Sequence, residues 1–275
     1  MNIDDIIREN RFTISVVFPL MGAFLLLASF EGILPDIISY NPYLIIFGTL
    51  VMRSPLIAGL LPLSDRKLLT GVLILTLYSF IIEYIGTTTG LPYGSFEYVI
   101  ELGPMILGKV PLGLPIFFIP LVLNAYMLVT LLYPAETKRF VPRIFGTVTT
   151  VLIIDLVLDP GAVAIRFWEY ESGIYYGVPL MNYLGWILSA SVAVILMDWS
   201  IDRSELIDRL ENCEFMLDDM VSFVFLWGAI NLYFSQWIPF IIAVLLGLML
   251  FRTERFDMIS VKNSRISKLF DKPVS

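Results

Sequence analysis

The sequence predicts an all-α, polytopic membrane protein with about eight transmembrane helices and both termini cytoplasmic. Three observations carry that expectation. Hydrophobic residues fill 57% of the 275 positions and charged residues only 16%, with mean hydropathy +0.82, whereas a soluble domain is roughly a quarter charged. Apolar runs recur along the whole chain, so one integral domain in the cell membrane, 1–275, is expected without an appended soluble unit. Lysine and arginine, finally, gather in alternate connections, as they do when cytoplasmic loops retain the positive residues.

The runs long enough to cross, or nearly so, are 12–30, 43–61, 68–85, 111–133, 144–165, 179–201 and 220–237; an eighth, 238–251, is short. The first follows a charged dozen residues and has no small-residue cleavage pattern behind it, so it is expected to stay as a helix. Arg53, beside Pro55 in the second, reads as a structural cation that snorkels or partners an acid. The third carries Glu83 near its outer end. The fifth carries Asp155 and Asp159 one turn apart, with Pro160 and Gly161 expected to break the helix directly after them. In the sixth, Asn182 and Trp186 lie near the outer end, and Asp198 near the inner end is expected to face cytoplasmic water. Trp237 and Pro239 are read as a tight outer turn between the last two helices.

Cations support that count. Arg8 and Arg11, Arg66 and Lys67, then Lys138, Arg139 and Arg143, then Arg203 and Arg209, and six more after Phe251 all fall on one side, against Lys109 and Arg166 on the other. A seven-helix version would put the cation-rich tail on the wrong side. The formal charge of −7 comes largely from seven acids in the connection 202–219, expected to be a solvated helix or turn. No nucleic-acid partner is implied.

The chain has no histidine and one cysteine, Cys213. That removes an internal disulfide, haem ligation, most zinc sites and His-rich di-iron clusters. No metal and no cofactor are therefore expected. Asp155 and Asp159 match D-x-x-x-D once, but a prenyltransferase would need a facing pair of such motifs.

Ionisable groups within a span cost about 3 kcal/mol each on insertion scales, so each asks for a partner or a task. Glu83, Asp155, Asp159 and Asn182 should share one depth near the outer face, where two connections rich in aromatics meet them: "GTTTGLPYGSFEY" and "RFWEYESGIYYG". Two acids one turn apart in low dielectric disfavour joint ionisation, so one is expected to hold a proton. Taken singly, each acid is as well explained by an ion pair or a snorkelling contact, and Tyr93, Phe96, Tyr98, Trp168, Tyr170, Tyr175, Tyr176 and Trp186 by an interfacial belt. Convergence favours a site.

The stretches "EYIGTTTGLPYGSFEY", followed by "LGP", and "DLVLDPGAVAIRFWEYESGIYYGVPLMNYLGW" resemble the membrane-bound carotenoid hydratases of the bacterioruberin and γ-carotene type. The likeness covers the central part of the chain from Glu83 to Trp186, in the family's order. It implies a cofactor-independent enzyme that adds water to the terminal C1=C2 double bond of an acyclic carotenoid end group, with a linear carotenoid, water and membrane lipids as partners; oligomeric state stays open. The residues themselves supply the candidates: Asp159, Asp155 and Glu83 as catalytic acids, Tyr93, Trp168, Tyr176 and Trp186 lining the end-group pocket, and Asn182, Thr88 and Thr89 holding water. Two other functions fit the same composition, a prenyl or carotenoid cyclase using the same carbocation and a proton- or ion-coupled transporter. Acids gathered toward one face speak against the transporter.

Overall fold

A computed structural model describes residues 2–100 and 102–252. Helix α1 (Ile3–Phe12) runs through a π-helical turn (Thr13–Val17) into α2 (Phe18–Phe30), forming one rod of 28 residues. Then follow α3 (Pro42–Leu60), α4 (Arg66–Thr89), α5 (Leu114–Leu132), α6 (Phe140–Ala164), α7 (Leu180–Ser200), α8 (Arg203–Asn212), α9 (Asp218–Tyr233) and α10 (Trp237–Arg252). Among the described residues, six helices are long and apolar enough to cross a membrane: the α1–α2 rod and α3 to α7. Helices α9 and α10 have 16 residues each, about 24 Å at 1.5 Å per residue. The cation-rich tail that follows lies outside the described residues.

Local chemistry fixes the ends. The Asn41 side chain accepts from the Tyr43 and Leu44 amides ahead of α3, Asp65 accepts from Leu68 N at 2.7 Å ahead of α4, and Asp202 accepts from Ser204 N at 2.8 Å ahead of α8. Gly90, at φ +76°, takes the left-handed conformation that ends α4. Helix α5 is the hub, buried along most of its length, whereas α4 presents Leu69, Leu73, Leu77 and Ile81 outward every fourth residue. An apolar stripe with that spacing is one continuous face of a helix, and outside a membrane it would have no solvent.

Contacts far apart in sequence show which helix ends lie together. At one end Arg8 binds Glu214 at 2.6 Å, and Arg209 binds Asp4 at 2.8 Å and the Gly59 carbonyl at 3.0 Å. At the other, Tyr233 donates to Glu31 at 2.9 Å and Tyr40 to the Ile165 carbonyl at 3.0 Å.

Several expectations are corrected. The fold is not all-α throughout: in the connections β1 (Phe96–Tyr98) pairs antiparallel with β4 (Trp168–Tyr170), and β2 (Met105–Ile106) with β3 (Val110–Pro111). Pro160 does not end its helix, for α6 continues to Ala164. Proline removes the amide that would bond to the carbonyl four residues back, and the Leu156 carbonyl is met by the Tyr175 hydroxyl at 3.2 Å instead. The turn before α10 spans residues 234–236, so Trp237 and Pro239 belong to the helix.

The connection 202–219 is also less solvated than its acids suggest. Leu206, Leu210, Phe215 and Met216 are buried, and so are Asp218 and Asp219. Asp218 takes a two-pronged contact from Arg11, Nε to Oδ2 at 2.7 Å and Nη2 to Oδ1 at 2.8 Å. Arg53 donates to Asp219 at 2.6 Å, which is the acid it partners. Asp198, expected to face water, is held by Arg143 and accepts from Tyr126 at 2.7 Å. An aspartate within reach of a half-buried arginine gives up hydration for a charge-assisted contact.

The Arg11–Asp218 pair is sealed from water, so removing one partner strands the other. Asp218→Leu alone is expected to destabilise the folded protein by about 3–5 kcal/mol, and Arg11→Met together with Asp218→Leu to recover most of that loss. Thermal unfolding of the detergent-solubilised single and double variants measures it; a double variant as unstable as the single one would refute the account.

Candidate functional site

The β1–β4 ribbon closes one end of the bundle. Its register sets Phe96 opposite Tyr170, Glu97 opposite Glu169 and Tyr98 opposite Trp168. Side chains on a strand alternate between faces, so the four aromatics turn down into the helices and the two glutamates turn away. Glu169 is met at the surface by Arg166 at 2.8 Å.

Beneath the ribbon lies a cavity of about 100 Å³. Glu83 from α4 and Asp159 from α6 supply its carboxyl groups, and aromatic rings make most of the remaining wall. Each acid is bound by one ribbon tyrosine: Tyr98 donates to Glu83 Oε1, and Tyr170 donates to Asp159 Oδ2 at 3.1 Å. Burial first, and the facing carboxyl groups second, push both phenols well above their ordinary pKa, so they remain neutral donors. Asn182, from α7, binds both aspartates through Nδ2, Asp155 Oδ2 at 2.9 Å and Asp159 Oδ2 more closely. Asp155 is fully buried behind this bridge, and its Oδ1 has no hydrogen-bond partner.

A second polar chain holds the opposite wall. Tyr93 is buried, and its hydroxyl lies 2.6 Å from Ser189 Oγ, which also meets the Tyr78 hydroxyl at 3.1 Å. Trp186 stacks on Phe118 with centroids 5.1 Å apart and leans on Tyr93 at 6.2 Å. Trp168 lines the cavity with a buried Nε1 that has no partner. An unpaired buried donor of that kind costs about 1–3 kcal/mol.

Over residues 40–250 the chain matches the family model described as carotenoid biosynthesis protein. The bisanhydrobacterioruberin hydratase of Haloarcula japonica is 58% identical over 254 residues, covering 92% of this chain and 87% of that protein. The chain belongs to the carotenoid biosynthesis protein family. No solved structure matches it.

Of the candidates read from the sequence of this carotenoid biosynthesis protein, Glu83, Asp159, Tyr93, Trp168, Asn182 and Trp186 line the one cavity, and Asp155 stands directly behind it. Thr88 and Thr89 do not join them. Helix α4 continues past Gly86, and at 100° per residue both threonines turn more than a quarter-circle away from Glu83. They are exposed, and their hydroxyls bond back to the Tyr84 and Ile85 carbonyls, the second at 2.8 Å. Tyr176 is also absent from the wall; at φ +49° it points toward α10, with its hydroxyl 3.5 Å from Ile238 N.

Tyr98 and Tyr170 carry more of the site than sequence reasoning allowed, having been grouped with an interfacial belt. A signal was present in the matching triplets Phe-Glu-Tyr and Trp-Glu-Tyr, whose alternation marks two one-sided strands. Phe118, Phe167 and Trp227 complete the wall from helices and a loop that showed no local mark. Among the described residues no group of three His, Cys, Asp or Glu side chains is placed to hold a metal ion.

Gly185 gives Tyr93 its slot. A Cβ there would sit 2.3 Å from Tyr93 Cδ1 and 2.9 Å from the Pro92 carbonyl. Gly185→Ala is therefore expected to expel the ring, break its contact with Ser189 and cost about 1–3 kcal/mol. In the background of Tyr93→Ala the same substitution should cost clearly less, a difference a double-mutant cycle of thermal stabilities measures.

Proposed function

We propose that this protein is a carotenoid hydratase that adds water across a terminal trisubstituted double bond of a linear carotenoid to give a tertiary alcohol. The observation that carries the reading is the pairing of Glu83 and Asp159 across one aromatic cavity. Similarity to a protein named bisanhydrobacterioruberin hydratase supports the substrate class. We read the chain as a single membrane domain with eight crossings, α9 and α10 being the two short ones. The termini then lie on the cation-rich side and the cavity near the outer face.

Protonating the less substituted alkene carbon places positive charge on the tertiary one. Asp159 is the proposed donor, because it faces the cavity whereas Asp155 is enclosed behind Asn182. A strong acid suits this step, and the rings of Trp168, Trp186 and Tyr93 offer π-faces to the cation that results. Water then adds to the cation and loses a proton, for which Glu83, on the facing helix, is the proposed acceptor. Asp155 and Asn182 set the orientation of Asp159, and the proton taken up by Glu83 passes back to Asp159 across the cavity the two acids share, so that the acids end as they began and the net change is the addition of one water.

Expression without oxygen in a host that accumulates linear carotenoids, in ¹⁸O-labelled water, tests the reaction. One label per new tertiary alcohol is expected by mass spectrometry; unchanged pigments in the presence of membrane-inserted protein would overturn the reading. Asp159→Asn is expected to lower turnover at least about 100-fold, the range of a general acid. Normal turnover in Asp159→Asn, Asp155→Asn and Glu83→Gln alike would remove the acids from the mechanism.

A further inference from the structure

A second cavity, of about 130 Å³, lies beside the first, between α2 and α3. Four side chains, Phe117, Leu158, Phe167 and Trp227, line both, so the partition is one layer of side chains thick. On the far side the walls come from Phe18, Gly22, Leu26, Ile45 and Gly48, and Leu25 and Leu44 at its edges are 40% and 50% exposed on the lipid-facing surface. Ser29, Tyr40, Asn41, Thr49 and Arg53 stand among them, each bonded to another group of the protein. Resting on the hydratase reading above, we infer that this second cavity is the channel for the hydrocarbon chain of the substrate, which enters sideways from the bilayer between α2 and α3 and passes its reactive end through the partition.

The volumes require an exit of this kind. About 100 Å³ falls well below the roughly 300–1,000 Å³ that encloses a drug-sized ligand, so the acid-bearing cavity takes one branched end and the rest of a long polyene must leave it. Two of the other walls are tied by polar contacts. The ribbon above is fixed by Tyr98 on Glu83 and Tyr170 on Asp159, and the α4–α7 side by Tyr78, Ser189 and Tyr93. Displacing these would strand buried polar groups, whereas a hydrocarbon passing among Phe117, Leu158, Phe167 and Trp227 exchanges one apolar contact for another.

Trp227 forms the stiffest side of the opening. A Cβ on Gly161 would sit 2.8 Å from its ring, and Phe167 meets it edge-on at 6.3 Å. Phe117 is half-buried and stands at the start of α5, so its rotamer is the element that widens the passage. The glycines on the other wall leave the width: a Cβ on Gly48 would meet only Phe18 Cε1, at 3.8 Å, and one on Gly22 only Leu226 Cδ1, at 3.5 Å. Larger side chains fit the backbone at both positions and project into the channel.

The test compares bisanhydrobacterioruberin with a C15 acyclic isoprenoid hydrocarbon ending in the same branched alkene. Gly48→Phe is expected to lower the ratio of kcat/KM for the long substrate to that for the short one at least tenfold, with Leu69→Phe, on the outer face of α4, as the control. A photoreactive phenylalanine at Leu26 is expected to cross-link the long carotenoid, and one at Leu69 is not. An unchanged ratio, or no cross-link at Leu26, in a protein whose wild type hydrates the long substrate overturns the channel and leaves the hydratase standing. A wild type that hydrates neither substrate overturns the reading on which the channel rests.

Discussion

A carboxyl group enclosed in an apolar bundle must find a donor, and this chain supplies donors of two kinds at its two ends. Near the N-terminal end each acid has an arginine, Arg11 on Asp218, Arg53 on Asp219 and Arg143 on Asp198, with Asn124 and Tyr126 adding neutral donors to the last two. An arginine's planar fork of fixed donors locks the pair in place. At the ribbon end the donors are Tyr98, Tyr170 and Asn182, all neutral. A neutral donor orients a carboxyl group without fixing its charge, which proton transfer requires. The difference in donor, and not in the acids, separates the structural carboxylates from those of the candidate site.

Backbone constraints deliver the same geometry. Pro160 frees the Leu156 carbonyl without ending α6, and Tyr175 fills it from the loop that also bears Trp168 and Tyr170. One residue on, the Val157 carbonyl accepts from Asn231 of α9 at 2.9 Å. Gly161 leaves room for Trp227 on that same helix. The segment after Asp155 is thus where α6, the ribbon loop and α9 are joined, so the cavity wall and the helix that carries its acids are positioned together.

Both cavities lie on the ribbon-side half of the bundle, one tied by polar contacts and the other parted from it only by the apolar side chains of Phe117, Leu158, Phe167 and Trp227, although Ser29, Tyr40, Asn41, Thr49 and Arg53 also line it. Polar ties resist displacement because each broken contact exposes an unpaired group to an apolar surrounding, while packed apolar side chains part at the cost of dispersion contacts that an apolar guest restores. The architecture therefore has a stiff face and a yielding one.

By itself the sequence determined the membrane character, the order of the long helices, the absence of histidine chemistry and the gathering of Glu83, Asp155, Asp159 and Asn182 at one depth, because hydropathy, length and helical periodicity act along the chain. It also carried the family resemblance in two motif-bearing stretches. Tertiary structure alone decided which acids meet arginine, since Arg11 and Asp218 stand 207 positions apart. It decided too that Thr88, Thr89 and Tyr176 point elsewhere, while Tyr98 and Tyr170 reach the carboxyl groups. Those outcomes follow from helix rotation and from pairing between two distant loops, and neither is encoded in local spacing.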